Sequence, residues 1–352
     1  ALNIPYTLSG SALNPGDYTG PSSGILTIPP GQSAVQLNLP VVDDNLVEPT
    51  EKITLSLTNT TLPYGILLRD QQQTLDVIDN DAATISIANA SVTEGNENDT
   101  YLVFDVTLTG SDVQDAFTLP FTVTNGSATV TQDYEIPTIT NLQFNGPADR
   151  SKQIQVLVKG DFIIEKDETL NVALGLLPAG VPPGLSISNA TATGTIINND
   201  KGIVQITAAN GEEENEVSGH FRFNFLNGIT ADEPTVINFS LSGANMPDDY
   251  TTAFPTSITI PAGESGFDLE IKVEDDAIIE GTESLVLTTT SINSAYVTNI
   301  SISNSPQTLN ILDNDSGQLL LTAAPDVFEG AAGETTPVKF TVELTKATAS
   351  PF

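Results

Sequence analysis

The sequence contains no cysteine and no tryptophan, and it has a single histidine, His220. The missing cysteines exclude disulfide bridges and thiolate metal sites. One histidine alone makes a transition-metal site or a nucleophile–histidine pair a poor hypothesis. The chain also lacks any apolar run near the ~18 residues that a membrane helix requires, so we expect no direct insertion into a membrane.

Lysine and arginine are scarce: the chain has 11 of them against 45 aspartate and glutamate residues, which gives a formal net charge of −34. A field of that sign repels phosphate backbones and anionic lipid surfaces, so we expect no nucleic-acid partner. The same field attracts cations. With 39% hydrophobic residues, the chain is nevertheless apolar enough to fold instead of remaining a disordered acidic polymer.

An acidic segment recurs along the chain in a fixed phase. VVDDNLVEPTEKITL (41–55) returns as VKGDFIIEKDETLNV (158–172) and as VEDDAIIEGTESLVL (273–287). Each copy follows an Asp-Tyr pair and precedes a short acidic tripeptide. The spacing is steady, since 117 residues separate Glu48 from Glu165 and 115 separate Glu165 from Glu280. The period predicts module one (1–81), module two (82–200), module three (201–315) and a C-terminal segment (316–352) with the first two strands of a further module.

Within each module, apolar and polar residues alternate in short runs bounded by Gly, Asn, Pro and Asp, which is typical of β-strands. About seven such strands in each period indicate an immunoglobulin-like antiparallel sandwich. We therefore predict an all-β protein of tandem immunoglobulin-like antiparallel β-sandwiches arranged as a rod.

The acidic segment of module one places Asp43, Asp44, Glu48 and Glu51 within nine residues. Calcium takes six to eight oxygen ligands, and two adjacent carboxylates followed by two more can curl a loop around one ion. A strand rises ~3.3 Å per residue, so the 13 residues from Asp81 to Glu94 can span ~40 Å. Glu94 is therefore expected at the far end of module two. Each predicted calcium site then lies where one module ends and the next begins.

The combination of DDxxxExxE, an Asp-Tyr pair, an early VTEG-type glutamate and a terminal DND resembles the Calx-beta family. That family is known from sodium–calcium exchangers, integrin β4 and very large bacterial surface proteins, and the resemblance covers essentially the whole chain. It implies that Ca²⁺ is coordinated at one end of each sandwich. In module one the implied ligands are Asp17, Asp43, Asp44, the carbonyl of Leu46, Glu48, Glu51, Asp79 and Asp81. In module two they are Glu94, Asp133, Asp161, Glu165, Glu168 and Asp200. In module three they are Glu213, Asp249, Asp275, Asp276, Glu280, Glu283, Asp313 and Asp315.

Module two departs from the pattern, because Gly160 replaces the first Asp of the pair and Asn198 replaces the first Asp of DND. We expect module two to hold fewer ions than module three, or to bind them more weakly.

The acidic clusters admit three other interpretations. A solvated loop would keep the protein soluble without binding anything. An EF-hand beginning at Asp313 fails, because its twelfth position is Ala324 instead of glutamate. A glycosidase could use paired carboxylates as acid and base, but the acids here are crowded and no tryptophan offers a sugar platform. We therefore expect no enzymatic activity.

Two functions fit a calcium-binding repeat. The favoured one is a calcium-stiffened segment of a long, secreted bacterial adhesin at the cell surface, which acts as a stalk or adhesive filament in attachment or gliding. Its partners would be neighbouring repeats of the same chain, copies arranged head to tail, and a surface glycan or protein. The alternative is a calcium-sensing regulatory module that reorients when the ion binds. Millimolar extracellular calcium would keep structural sites filled, which favours the first.

The two ends of the chain predict a further contact. Module one lacks its first two strands, and the C-terminal segment supplies two strands of that kind in LLLTAAPDVFEG and PVKFTVELTKA. We expect a window from a longer tandem array, in which a neighbouring copy or a continuation of the chain completes each half-module. Glu329 would then join the cluster of Asp43, Asp44, Glu48 and Asp79 in the next copy.

Overall fold

The computed structural model describes residues 1–58, 62–63, 65–243 and 254–349. Within these residues the fold is all-β, with one short 3₁₀ turn at Leu226–Gly228, as the sequence predicted. No described helix has the length and hydropathy of a membrane span. The chain divides into two compact units. The first comprises Ala1–Glu94, Asp99–Lys159 and Asp167–Ile197, and the second comprises Gly95–Asn98, Gly160–Lys166 and Asn198–Phe352.

Strands follow one another along the whole chain. Up to residue 81 they are β1 (Leu2–Gly10), β2 (Ser23–Ile28), β3 (Leu46–Val47), β4 (Glu51–Leu57) and β5 (Gln72–Val77). From 82 to 200 they are β6 (Ala83–Ile87), β7 (Ala90–Thr93), β8 (Thr100–Gly110), β9 (Asp112–Val113), β10 (Phe117–Asn125), β11 (Tyr134–Glu135), β12 (Asn141–Phe144), β13 (Ser151–Val158), β14 (Ile163–Ile164), β15 (Glu168–Leu174), β16 (Leu185–Asn189) and β17 (Thr191–Ile197). From 201 to 315 they are β18 (Gly202–Ala209), β19 (Gly211–Glu212), β20 (Gly219–Phe225), β21 (Thr230–Ala231), β22 (Thr235–Gly243), β23 (Ser257–Ile260), β24 (Gly266–Ile271), β25 (Ile278–Ile279), β26 (Glu283–Asn293), β27 (Ile300–Ser303) and β28 (Gln307–Leu312). The C-terminal segment contains β29 (Leu319–Ala323), β30 (Phe340–Leu344) and β31 (Ala347–Thr348).

Module two is a β-sandwich, which confirms the predicted fold class. Its sheets run β12-β10-β15-β17-β7 and β11-β13-β8-β6-β16. Strand β8 shows why the sequence folds this way: Leu102, Phe104 and Val106 are fully buried between the sheets, while alternate residues such as Asp105 are exposed. Burial of each such apolar side chain contributes roughly 1.5–3 kcal/mol, so the period-two alternation fixes which face turns inward.

Module three repeats the arrangement within the second unit. Its sheets run β24-β20-β18-β27 and β19-β28-β26-β22-β23. Phe223 on β20 lies opposite Ile206 on β18, and Phe221 lies opposite Ala208. Both phenylalanines are fully buried and pack into a core with Phe239.

Module one contains a single sheet, β2-β1-β4-β5, in the described residues. Its residues 34–40 correspond in the repeat to β13, which pairs with β8 in module two, but here they form no strand. In the C-terminal segment, β29 and β30 pair with each other as a two-stranded hairpin. Within the described residues, module one and the C-terminal segment therefore each contain strands of one of the two layers that modules two and three show.

A two-residue parallel bridge follows each acidic pair. Strand β3 pairs with β9, β14 with β21, and β25 with β31. Val47 of β3 is fully buried in the core built mainly by module two, and Ile164 of β14 is fully buried in the core built mainly by module three. Each of these two acidic loops thus places an apolar side chain in the core of the following module.

Candidate metal centres

The second acid of each pair accepts a backbone hydrogen bond within its own loop. Asp44 Oδ1 accepts a hydrogen bond from the Leu46 amide at 2.9 Å. The equivalent acids Asp161 and Asp276 accept from the amides two residues later, both at 2.7 Å. An aspartate that bonds the backbone two residues on makes an Asx turn. This turn directs the chain from the acidic pair into the bridge strand, so the same side chains serve local structure and a candidate ion site.

The first aspartate of DND joins two chain segments. Asp79 Oδ2 accepts from the Glu48 amide at 2.8 Å, and its Oδ1 accepts from the Asp81 amide at 2.9 Å. Asp313 makes the same two bonds, to the Glu280 amide at 2.7 Å and the Asp315 amide at 2.6 Å. Both oxygens therefore hold the loop in shape, a role that sequence reasoning did not assign to this position.

Asn198 occupies the equivalent position in module two. It accepts one of the two hydrogen bonds as the aspartates do, but it donates the other. Its Oδ1 accepts from the Asp200 amide at 2.7 Å, but its Nδ2 donates to the Glu165 carbonyl at 2.5 Å. The loop is still closed, yet one anionic oxygen is replaced by a donor, which cannot bind a cation. Gly160 stands where the other modules have the first aspartate of the acidic pair. A Cβ added there would lie 2.8 Å from the Gly95 carbonyl oxygen and 3.0 Å from that of Asn98, so this backbone leaves little room for an aspartate.

The acids of module one converge on one cavity of about 250 Å³. Its predicted ligands among the lining residues are Asp17, Asp43, Asp44, Glu48, Glu51, Asp79 and Asp81. Burial, with the nearby charges of Asp44 and Asp17, raises the pKa of Glu48 to about 7. Burial and a hydrogen bond with Asp17 raise the pKa of Glu51 to about 7. The carboxylates therefore repel one another strongly when they are ionised, and a divalent cation would relieve that repulsion.

Module three gathers its acids around a buried glutamate. Glu213 is only 2% exposed, and its Oε2 is buried without a hydrogen-bond partner. Burial and the charges of Asp313, Glu280 and Asp276 raise the pKa of Glu213 to about 7. A buried carboxylate oxygen without a partner is costly unless a cation or water meets it. This donor set of hard oxygens fits Ca²⁺. The predicted ligand Asp249 lies outside the described residues.

The predicted ligands of module two fall in both compact units. In the first unit, Asp133 and Glu168 each place a carboxylate oxygen within 4.8 Å of the other, and Glu94 is buried at 3% exposure. Asp133 Oδ2 also accepts from the Thr129 amide at 2.6 Å. In the second unit, Asp200 is likewise buried.

The remaining predicted ligands occupy the ends of their loops and strands. Glu283 begins β26 of module three. Asp275 Oδ1 accepts from the Asn314 side chain at 3.2 Å. Asp315 Oδ1 accepts a hydrogen bond from the Lys346 ammonium group of the C-terminal segment, so one oxygen of Asp315 already has a cationic partner. Glu329 is exposed between β29 and β30.

One acid beside the first cluster was missed by sequence reasoning. The charge of Asp115, which belongs to module two, contributes to the raised pKa of both Glu48 and Glu51. The bridge explains its place: Val47 pairs with Val113, and the Gln114 amide donates to the Val47 carbonyl at 3.2 Å. The signal in the sequence was an aspartate two residues after the bridge strand, which is recognisable only once the bridge is known.

Comparison with known proteins identifies the repeat. The family model described as the Calx-beta domain matches residues 4–81, 79–201 and 199–315, which confirms the resemblance noted in the sequence. Similar solved structures include the calcium binding domain CBD12 of CALX1.1, which is 14% identical, with 65% of this chain and 99% of that chain covered and a TM-score of 0.29. The apo-form Calx CBD1 domain is 19% identical, with 34% of this chain and 99% of that chain covered and a TM-score of 0.28. Among curated proteins, none matches the chain. The family assignment therefore depends on the three matched segments, which together span most of the sequence.

Proposed function

The chain belongs to the Calx-beta family, and from that premise we propose that its modules bind calcium at their ends. The observation that carries the proposal is the buried Oε2 of Glu213, which has no hydrogen-bond partner and lies beside Asp276, Glu280 and Asp313. When bound, Ca²⁺ would supply the positive charge that this donor set lacks. The acids of module one, which line a shared cavity, would hold an ion in the same way.

Calcium binding would stiffen the junction between consecutive modules. The Asx turn at Asp276 leads directly into Ile278 of bridge strand β25, which pairs with Ala347 of the following segment. An ion held by the acidic loop limits the conformations of that loop, because binding to the folded form alone stabilises it by mass action. The bridge strand, being part of the loop, would be fixed with it.

The biological role that we propose is that of a structural segment in a long, secreted bacterial adhesin at the cell surface. Support comes from the repeat that fills the chain and from a net charge of −34, which suits a calcium-rich exterior. In this role the protein is a stalk or adhesive filament without catalytic activity, and it serves attachment or gliding. The alternative role is a calcium sensor. The observation in its support is that the acidic loop leads directly into the bridge strand, so an ion bound by the loop would act on the neighbouring module. Affinity separates the two, since extracellular structural modules bind at roughly 10⁻⁴–10⁻³ M and sensors at 10⁻⁷–10⁻⁵ M.

Calorimetric titration of the full chain with calcium tests the proposal. We expect saturable binding, and we expect Glu213→Gln to weaken the module three site because it removes the buried anionic oxygen. Glu212→Gln is the matched control, since Glu212 is the preceding residue and is exposed. Titrations without any calcium binding, or equal effects of the two variants, would refute the assignment.

A further inference from the structure

The last aspartate of the module three tripeptide has its two carboxylate oxygens in different surroundings. The side chain of Asp315 is only 6% exposed. Its Oδ1 accepts a hydrogen bond from the Lys346 ammonium group, whereas its Oδ2 is buried without a hydrogen-bond partner. A buried carboxylate oxygen without a partner is costly unless a cation or water meets it. Asp315 is therefore suited to bind a cation, but a lysine already occupies one of its two oxygens.

Lys346 reaches this aspartate from the segment that follows module three. It directly precedes β31, which forms the parallel bridge with β25 of the module three acidic loop. The bridge fixes the backbone position from which the lysine side chain extends. The contact with Asp315 is therefore a consequence of the way in which one module joins the next.

The first module boundary shows the same contact with a different residue. Strand β9 pairs with β3 in the register in which β31 pairs with β25, so Ser111, which precedes β9, is the equivalent of Lys346. Ser111 Oγ donates to Asp81 Oδ1 at 2.7 Å, and Asp81 is the last aspartate of its own tripeptide, as Asp315 is. A hydroxyl group donates to a carboxylate without neutralising its charge. At this boundary the last aspartate therefore keeps its full negative charge.

The second boundary has a third kind of side chain at this position. The residue that precedes β21 is Ile229, which packs against the core of module three. The last aspartate there, Asp200, accepts a hydrogen bond on Oδ1 from the neutral Asn96 side chain at 2.5 Å. The three boundaries thus place a hydroxyl group, an apolar group and an ammonium group at one equivalent position.

An ammonium group on Asp315 opposes calcium in two ways. It occupies an oxygen that the ion would otherwise take, and its positive charge repels the ion. In the calcium-free protein, the same charge offsets part of the repulsion among the module three acids. The lysine side chain is 37% exposed and has a flexible four-carbon stem, so it can move into solvent when an ion arrives. Lys346 therefore stabilises the calcium-free form and weakens calcium binding.

We propose that the residue directly before each bridge strand sets the calcium affinity of the preceding module, and that Lys346 lowers the affinity of module three by competing with the ion for Asp315. This inference rests on the proposed function, which places calcium among the acids of module three. The affinity of a module then depends in part on the module that follows it. Modules with the same acids differ in affinity when their successors begin the bridge strand differently.

Calcium titration of the full chain with Lys346→Ser tests the competition, since serine is the residue at the equivalent position of the first boundary. We expect module three to bind calcium about tenfold more tightly or better, because a hydrogen bond to a charged group contributes that much. Lys339→Ser is the matched control, because it removes the same charge from an exposed position of the same segment. Addition of Glu213→Gln to Lys346→Ser should abolish the gain, which assigns the gain to module three.

Thermal melting in excess chelator gives a second measurement that does not depend on bound calcium. Lys346→Ser should melt at a lower temperature than Lys339→Ser, because the module three acids lose a cationic partner. A purely structural lysine would, on removal, lower both the stability and the calcium affinity. Competition predicts that stability falls while affinity rises.

The reciprocal variant brings the ammonium group to the first boundary. Ser111→Lys should weaken calcium binding by module one, whereas Thr107→Lys, at an exposed position of the same strand region, should leave it unchanged. If Lys346→Ser and Lys339→Ser bind calcium equally well, or melt equally in chelator, the inference is wrong and the proposed function stands. If neither the native chain nor any variant binds calcium, the proposed function is refuted and the inference with it.

Discussion

Replacement of Ile164 by alanine tests the junction where the acidic loop of module two enters the core of module three. Ile164 is fully buried, and an added Cβ on Gly202 would lie 2.7 Å from its Cδ1, so the side chain sits tightly against β18. Loss of a buried aliphatic side chain costs its transfer free energy plus the free energy of the cavity, about 2–5 kcal/mol for isoleucine to alanine. We expect the second compact unit to lose stability by that amount.

Urea unfolding followed by circular dichroism, with amide hydrogen exchange to assign the transition to a region, measures the loss. The matched control is Ile163→Ala on the same bridge strand, because Ile163 is only partly buried. Protection of β18 and β20 should fall in the Ile164 variant, and β8 in the first unit should be unchanged. If both variants cost the same small free energy, Ile164 does not belong to the module three core as described.

Four further outcomes are expected. Chelator should lower the melting temperature by several degrees, because the clustered carboxylates then repel; an unchanged melting curve would contradict calcium binding. In metal-free protein, stability should fall as pH rises from 4.5 to about 7, because Glu48, Glu51 and Glu213 bind protons more tightly when folded; a rise over this range in urea titrations would contradict the pKa values. Calorimetry should find that module two binds fewer ions or binds more weakly than module three, and tighter binding in module two would oppose the ligand count. Asp115→Asn should weaken calcium binding in module one, unlike the exposed control Asp105→Asn, and equal affinities would remove Asp115 from the site.

The fold could be predicted because its determinants are local and repeated. The alternation around Phe104 marks a strand with one buried face, and the fixed phase of Glu48, Glu165 and Glu280 marks the modules. The convergence of the module one acids on one cavity also follows from their positions at strand ends. What each acid does there could not be predicted, since Asp79 Oδ2 bonds the Glu48 amide 31 residues away.

Contacts across a junction were the least predictable part. Asp115 approaches Glu48 only because Val47 pairs with Val113, and that register depends on how one module packs on the next. The two residues of each bridge are too few to produce a periodic signal in the sequence. Lys346 near Asp315 is a similar case, because no local pattern connects residues on opposite sides of a module boundary.

Val47 and Ile164 are buried in the core of the module that follows their own. The segment that folds as one core therefore begins earlier in the chain than the sequence repeat does. A fragment that begins at residue 82 or 201 would contain a whole sequence repeat, yet its core would have a cavity. The side chain that fills this cavity, Val47 or Ile164, belongs to the preceding repeat. Modules exchanged by recombination must therefore agree in the size of this one side chain, valine at the first junction and isoleucine at the second. The order of the modules therefore affects the packing of their cores. In an array assembled in another order, the volume of the buried side chain would not match the cavity in the core of the following module.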